Sequence, residues 1–115
     1  MIERINPAQR WSDAVVVNGI VFLAGHVAED TRGQSVAEQT ADILAQLEDT
    51  LAQSGSSKDR LVSVNIYLSD IAGFDEMNAV WDKWVDTANP PARTTVEARL
   101  AHPDLFVEMT AVAAR

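Results

Sequence analysis

Two short apolar runs near the start of the chain predict a β-hairpin. Residues 14–17 (AVVV) and 20–23 (IVFL) are separated only by Asn18 and Gly19. Asn-Gly is the pair that best tolerates the positive φ angles of a two-residue type I′ turn. Because neither run alternates with polar residues, we expect both faces of the sheet to be buried here.

A helix is predicted to begin after residue 34. Ser35 can accept a hydrogen bond from a first-turn N–H, and Glu38 stands three residues later, as in a capping box. Gly55 can adopt the left-handed conformation that ends a helix. The apolar stripe between these two ends consists of Ile43, Leu44, Leu47 and Leu51.

The second half of the chain predicts a strand, a helix and a closing pair of strands. Residues 62–69 alternate apolar and polar side chains with the period of two that is typical of a strand. After a turn at 70–73, apolar residues recur at helical spacing, and this helix is expected to end near 89–91. The stretches 93–100 and 105–109 then complete the order β-β-α-β-α-β-β.

This order predicts one α+β domain over residues 1–115, with a mixed β-sheet and two helices on one face. A chain of this length can bury a core without disulfides, and it contains no cysteine. No helix is left to cover the apolar residues of the opposite sheet face. We therefore expect identical subunits to cover that face in a closed homo-oligomer.

The charge of the chain narrows the choice of partners. With 9 basic and 17 acidic residues the net charge is −8, which disfavours binding to nucleic acid or to an anionic membrane. The sequence shows no targeting segment and no apolar run long enough to span a bilayer, and together with the absence of cysteine this favours a cytoplasmic location. An anionic substrate needs a local positive charge, which Arg93 can supply.

Arg93 and Glu108 are the strongest candidates for a small-molecule site. Arg93 follows a proline pair at the start of a strand, where a guanidinium can hold a planar anion with two parallel hydrogen bonds. The alternative is a surface arginine paired with an acid such as Glu97. Glu108 interrupts an apolar strand, where a carboxylate is costly to bury without a task or a partner. The alternative there is a structural carboxylate satisfied by backbone donors or by an arginine of another subunit.

The chain resembles the Rid family, the reactive intermediate deaminases that are also known as the YjgF family. The resemblance runs nearly end to end and rests on Asn18-Gly19 followed by Ala24-Gly25, on Phe74, Asn78 and Trp81, on Pro91-Ala92-Arg93 and on Val107-Glu108-Met109. It implies a chorismate-mutase-like fold and a homotrimer packed through its sheets, with one site in each cleft between subunits. It also implies an enzyme that hydrolyses 2-imino acids to 2-keto acids and ammonia without metal or organic cofactor.

The resemblance also assigns roles to individual residues. It implies that Arg93 binds the substrate carboxylate and that Glu108 positions the attacking water. It places the backbone of Gly25 against the ligand and adds Asn78 of the second helix to the site.

Three positions of the predicted site differ from the usual family pattern. Trp11 stands where many deaminases have tyrosine, Thr95 stands where cysteine is common, and His26 stands where glutamine is frequent. The run 93–100 is also one residue shorter than in the commonest form. Trp11 is expected to form an aromatic wall and Thr95 to lie beside the ligand. His26 either contacts ligand or water, or is an ordinary strand-end histidine.

Other residues of chemical interest carry no predicted chemistry. Trp81 and Trp84 lie on a helical stripe, which is typical of a core. No metal site is expected, because no second histidine lies at ligand spacing from His26.

The leading functional hypothesis is therefore an imine hydrolase. The alternative is a non-catalytic trimer that binds a small carboxylate or regulates a partner. Ribonuclease activity, which is reported for some relatives, conflicts with the acidic charge and with the lack of a basic track.

Overall fold

Six β-strands and two α-helices make up the fold in the computed structural model, which describes residues 1–115. The elements are β1 (Ile2–Ile5), β2 (Ala14–Val17), β3 (Ile20–Val27), α1 (Val36–Gln53), β4 (Leu61–Leu68), α2 (Phe74–Trp84), β5 (Ala92–Glu97) and β6 (Val107–Ala114). The sheet order is β1-β2-β3-β6-β4-β5, and only the β4–β5 pair is parallel. The prediction of an α+β fold with a mixed sheet is confirmed.

The β2–β3 hairpin turns at the predicted pair. Asn18 and Gly19 have φ angles of 52° and 75°, as a type I′ turn requires. Burial of both faces is not found within one chain. Val21 is buried against the helices, whereas its neighbour Phe22 points to the other face of the sheet and is 45% exposed.

Helix α1 begins and ends where the sequence predicts. The Ser35 hydroxyl accepts the Glu38 N–H at 3.1 Å and donates to Glu38 Oε1, so the two side chains bond to each other. At the other end Gly55 has a φ of 77°, a conformation that costs glycine little. The predicted stripe of Ile43, Leu44, Leu47 and Leu51 is buried against the sheet.

Strand β1 was not predicted. It pairs antiparallel with β2, from Ile2 opposite Val17 to Ile5 opposite Ala14. Most of its side chains are exposed, so no buried face leaves an apolar pattern in the sequence. The element order is consequently β-β-β-α-β-α-β-β, with one more strand than expected.

Three predicted boundaries are also corrected. A register shift between Leu61 and Ser63 starts β4 at Leu61 and leaves Val62 53% exposed, although the alternation had placed Val62 in the core. Helix α2 ends at Trp84 and not near 89–91, because the Asp86 carboxylate accepts the Ala88 N–H and begins a turn. Strand β6 continues to residue 114, five residues beyond the predicted 109.

The sheet has one covered face and one open face. Both helices pack on the same face, over the inward side chains of β3, β4 and β6. The opposite face carries apolar side chains without a cover, among them Phe22 of β3 and Val96 of the edge strand β5. Its coverage by identical subunits remains a prediction.

Candidate functional site

Arg93 and Glu108 lie on opposite faces of the sheet. Arg93 stands opposite Val64 of β4, whose side chain is buried under the helices, and therefore points to the helix face. Glu108 stands opposite Tyr67 and alternates with the buried Val107, so it points to the open face. Two strand spacings and three residues of rise separate their Cα atoms by about 14 Å. One chain therefore does not bring the two side chains together.

A cavity of about 620 Å³ lies beside Glu108. Four of the predicted site residues line it, namely Trp11, Gly25, His26 and Glu108. The other three, Arg93, Asn78 and Thr95, are not part of it. The predicted site is thus divided into two groups of residues, which we call the Glu108 half-site and the Arg93 half-site.

A bulge in β3 presents Gly25 to Glu108. The β3–β6 register shifts between Leu23 and His26, which leaves Ala24 and Gly25 out of the regular ladder. A Cβ atom at Gly25 would collide with Oε2 of Glu108 and would lie 3.2 Å from its Cδ. Only glycine therefore leaves the Glu108 carboxylate in its present position. No arginine or lysine of the same chain forms a salt bridge with Glu108.

His26 faces the helix layer. Its ring is buried, with Nδ1 2.7 Å from the Ala24 carbonyl oxygen and Nε2 3.1 Å from the Thr50 hydroxyl. Because a carbonyl can only accept, Nδ1 carries a proton and donates to Ala24, while Nε2 shares a hydrogen bond with the Thr50 hydroxyl. Both ring nitrogens are thus engaged inside the fold. His26 borders the cavity and anchors the bulge that carries Gly25, while a ligand contact by its ring stays a prediction.

Trp11 stands at the cavity as an exposed aromatic side chain. It is 60% exposed and lies in the segment between β1 and β2. Its carbonyl accepts the Ala8 N–H at 2.7 Å, and the neighbouring Asp13 accepts the Ala24 N–H at 2.9 Å through its main chain. These bonds tie the segment to the β3 bulge, so that Trp11 can form the predicted aromatic wall.

Arg93 has an aromatic neighbour and no ion-pair partner within the chain. Its guanidinium carbon lies 5.2 Å from the centre of the Trp81 ring. No salt bridge within the chain involves Arg93. Glu97, the partner considered in the sequence, instead accepts the Ile71 N–H at 3.0 Å. The structure thus contradicts the reading of Arg93 as a surface arginine paired with Glu97.

Two buried side-chain oxygens of the Arg93 half-site lack hydrogen-bond partners. They are Oδ1 of Asn78 on α2 and Oγ1 of Thr95 on β5. An unsatisfied buried polar group costs about 1–3 kcal/mol, so such atoms are uncommon in stable folds. Both atoms are closed to solvent in the single chain and so lie outside the open cavity. Direct ligand contacts by these two side chains stay a prediction.

Gln39 is a structural determinant of the site that the sequence reading missed. It is fully buried, and its Nε2 donates to the Asp104 carbonyl at 2.9 Å while its Oε1 accepts the Phe106 N–H at 2.8 Å. These bonds fix the chain two residues before Glu108. A signal was present, because Gln39 continues the four-residue spacing of Ile43 and its successors as a polar residue on an apolar stripe.

Asp42 holds the segment that follows β3. Its carboxylate accepts the Asp30 N–H at 3.0 Å, the Thr31 hydroxyl at 2.9 Å and the Gln46 amide at 2.9 Å. Burial acts to raise the pKa of Asp42, but the hydrogen bonds from Gln46, Thr31 and the backbone outweigh it and hold the pKa below its usual value. Gln46 also donates to the Val27 carbonyl, which connects this network to the cavity wall.

The structure contains no cluster of metal-ligating side chains and no helix that could cross a membrane. No three histidine, cysteine, aspartate or glutamate side chains converge in a way that could hold a metal ion. Neither helix combines the length and the apolar character needed to cross a bilayer.

Comparison with known proteins places the whole chain in one family. The model of the family described as endoribonuclease L-PSP matches residues 1–115. A RutC family protein of Haemophilus influenzae is 39% identical over 112 residues, which are 97% of each chain. The RutC family protein YoaB of Escherichia coli is 40% identical over 113 residues, which are 98% of this chain and 97% of the relative.

A solved structure agrees with the fold as well as with the sequence. A member of the YjgF protein family from Neisseria meningitidis superimposes with a TM-score of 0.97 at 44% identity, covering 100% of this chain and 95% of that one. The resemblance read from the sequence motifs is therefore confirmed. The chain belongs to the endoribonuclease L-PSP family, which is also known as the YjgF or Rid family.

Proposed function

We propose that this protein hydrolyses reactive 2-imino acids to 2-keto acids and ammonia, in sites shared between neighbouring subunits of a homotrimer. The observation that carries the proposal is the pair of complementary half-sites. One offers an arginine without an acidic partner, and the other offers a glutamate that faces a cavity without a cationic partner. Each half-site supplies one of the two groups that the reaction needs, an anchor for the carboxylate or an acceptor for a water proton.

The division of the site follows from the two faces of the sheet. Arg93 belongs to the edge strand β5, whose outer side has no neighbouring strand. Glu108 belongs to the open face, which bears uncovered apolar side chains such as Phe22. A neighbouring subunit that covers the open face with its β5 edge brings its Arg93 to this Glu108. Three such contacts close a ring, which satisfies the expectation of a closed oligomer.

The chemistry requires little more than positioning. Arg93 binds the substrate carboxylate through two parallel hydrogen bonds, which fixes the adjacent C=N group. Glu108 accepts a proton from a water as the water oxygen adds to the C=N carbon, and it passes this proton to the nitrogen, which gives a carbinolamine. Glu108 then takes the hydroxyl proton as the C=O bond forms and gives it to the amino group as the C–N bond breaks, so that ammonia leaves and Glu108 is again ionised. Because imines hydrolyse spontaneously in water, holding the reactants in this geometry supplies most of the acceleration.

The family description names a second activity, cleavage of RNA. The net charge of −8 disfavours it, because an RNA backbone needs a basic surface. One of the two arginines that line the cavity, Arg32, already pairs with Asp104 at 3.3 Å. We therefore propose imine hydrolysis and keep RNA cleavage as an outcome of the test.

The test generates imines from a panel of amino acids with an amino-acid oxidase and follows their decay with and without the protein. Glu108→Gln serves as the matched control, because it keeps shape and hydrogen-bonding capacity but cannot take up a proton. We expect faster decay with the wild type and a loss of about 10²-fold or more in the variant, with unchanged assembly. If the protein accelerates the decay of no imine in the panel but still binds 2-keto acids, it is a carboxylate-binding module and not an enzyme of this kind. Turnover of single-stranded RNA that Glu108→Gln abolishes would favour a ribonuclease.

A further inference from the structure

The second tryptophan of the chain lies directly under the Arg93 guanidinium. Trp81 is only 5% exposed, and its ring centre is 5.2 Å from the Arg93 guanidinium carbon. A cation over the face of an indole is attracted by the negative potential of the ring, and tryptophan is the strongest of the aromatic partners. The sequence pattern predicted only that Trp81 belongs to the hydrophobic core.

An aromatic partner and a carboxylate partner affect the hydrogen-bonding capacity of Arg93 differently. A guanidinium has five N–H donors in its plane and none on its faces. A carboxylate partner would occupy donors at the edge of the group, whereas an aromatic ring attracts the cation without accepting those hydrogen bonds. The contact with Trp81 therefore restrains Arg93 and leaves its planar fork available for a carboxylate.

A second tryptophan ring lies beside Trp81 on α2. The Trp84 ring lies 5.5 Å from it at an interplanar angle of 50°. Lys58 lies 5.3 Å from the centre of the Trp84 ring and donates to the Trp84 carbonyl at 2.8 Å. Two aromatic rings thus lie in a row between two cations, in the order Arg93, Trp81, Trp84 and Lys58. Of the two rings, Trp81 is the one that contacts Arg93.

We infer that Trp81 is a positioning residue that orients the Arg93 guanidinium for binding of the substrate carboxylate. This inference rests on the proposed role of Arg93. It assigns to Trp81 an effect on substrate binding and none on the chemical step, because the indole touches Arg93 and not the reacting atoms.

The experiment compares three variants. Trp81→Leu removes the aromatic face, Trp81→Phe keeps an aromatic face, and Trp84→Leu is the control that removes an equally large ring from the same helix without touching Arg93. Imine hydrolysis gives KM and kcat, calorimetry with pyruvate gives the affinity for a 2-keto acid, and thermal melting reports folding. We expect Trp81→Leu to raise KM and the pyruvate Kd about five-fold at unchanged kcat. Trp81→Phe should retain most of the affinity, and Trp84→Leu should lower the melting temperature at unchanged KM.

A second readout does not depend on activity. In proton–nitrogen-15 correlation spectra, the ring current of Trp81 should shift the N–H protons of the Arg93 side chain upfield. The Arg93→Lys variant, which lacks these signals, identifies them. They should return to the position of an ordinary arginine in Trp81→Leu and stay shifted in Trp84→Leu. If the wild type hydrolyses no imine and binds no pyruvate, the proposed function fails, and these shifts alone decide whether Trp81 orients Arg93.

Two results would overturn the inference. One is an equal loss of pyruvate affinity in Trp81→Leu and Trp84→Leu, which would mean that only the stability of α2 matters. The other is an unchanged Arg93 resonance in Trp81→Leu. Should Trp81→Leu not fold, Trp81→Phe must still show a smaller upfield shift than the wild type, because a phenyl ring has the weaker ring current, and an unchanged shift would again overturn the inference.

Discussion

The Glu108 carboxylate occupies the space that a side chain at Gly25 would need. Its Oε2 atom lies closer to the position that the Cβ atom of any other residue would take than two non-bonded atoms can approach. The bulge in β3 creates this approach by releasing Ala24 and Gly25 from regular pairing with β6. The bulge in β3 therefore sets the position of Glu108, the proposed water-activating group, on the neighbouring strand β6.

Gly25→Ala should accordingly separate stability from activity. The atom that must move is the far end of a flexible side chain, so we expect a melting temperature close to that of the wild type. The displaced carboxylate should reduce kcat by about ten-fold or more, since a small misplacement of a catalytic group is costly. Full imine hydrolysis by a well-folded Gly25→Ala protein would contradict the role given to this contact.

Arg93→Lys tests the planar fork. Lysine keeps the charge but cannot offer two parallel hydrogen bonds to a carboxylate, so the affinity for a small 2-keto acid should fall about ten-fold or more. Calorimetry measures the change, and Arg99→Lys, at an exposed position beyond β5, is the matched control and should bind like the wild type. Equal affinities of the wild type and Arg93→Lys would remove Arg93 from the site.

Acid should weaken the contribution of Asp42. Its pKa in the folded protein is held below the usual value of 3.8, so the folded state favours the charged form. The stabilisation is therefore fully present above the unfolded pKa and is lost as the pH falls through the lower folded pKa. Asp42→Asn should melt at a lower temperature than the wild type at pH 7, and the difference should shrink below about pH 4. If the difference in melting temperature between the wild type and Asp42→Asn is the same from pH 7 to pH 3, the Asp42 charge does not stabilise the fold.

The local signals in the sequence identified the local structure. The Asn18-Gly19 turn and the two ends of α1, at Ser35 and Gly55, depend on residues within a few positions of each other, and all three are found. Strand β1 was missed because its side chains are mostly exposed, so that pairing with β2 alone defines it.

The division of the site was beyond the reach of sequence patterns. Motifs indicated Arg93 and Glu108, but their faces depend on the register of β4 with both β5 and β6. The β3 bulge and the contact of Arg93 with Trp81 likewise join residues far apart in the chain. Only tertiary structure shows that the predicted residues form two groups.

The open sheet face predicts a trimer in solution. Light scattering should give a mass three times that of one chain at micromolar concentration. Phe22→Asp, which places a charge on an exposed apolar position of that face, should dissociate the assembly while α1 and its core stay folded by circular dichroism. A wild-type protein that remains monomeric would exclude both the trimer and a site between subunits.

We propose that Arg93 of one subunit and Glu108 of its neighbour form one site, and mixing of subunits tests this arrangement most directly. Arg93→Lys and Glu108→Gln are each expected to be nearly inactive. When equal amounts are unfolded together and refolded, random assembly gives each subunit boundary a chance of about one quarter to unite an intact Arg93 with an intact Glu108. The mixture should therefore regain about a quarter of the wild-type imine hydrolysis. A mixture that forms trimers yet stays as inactive as its two components would contradict the shared site.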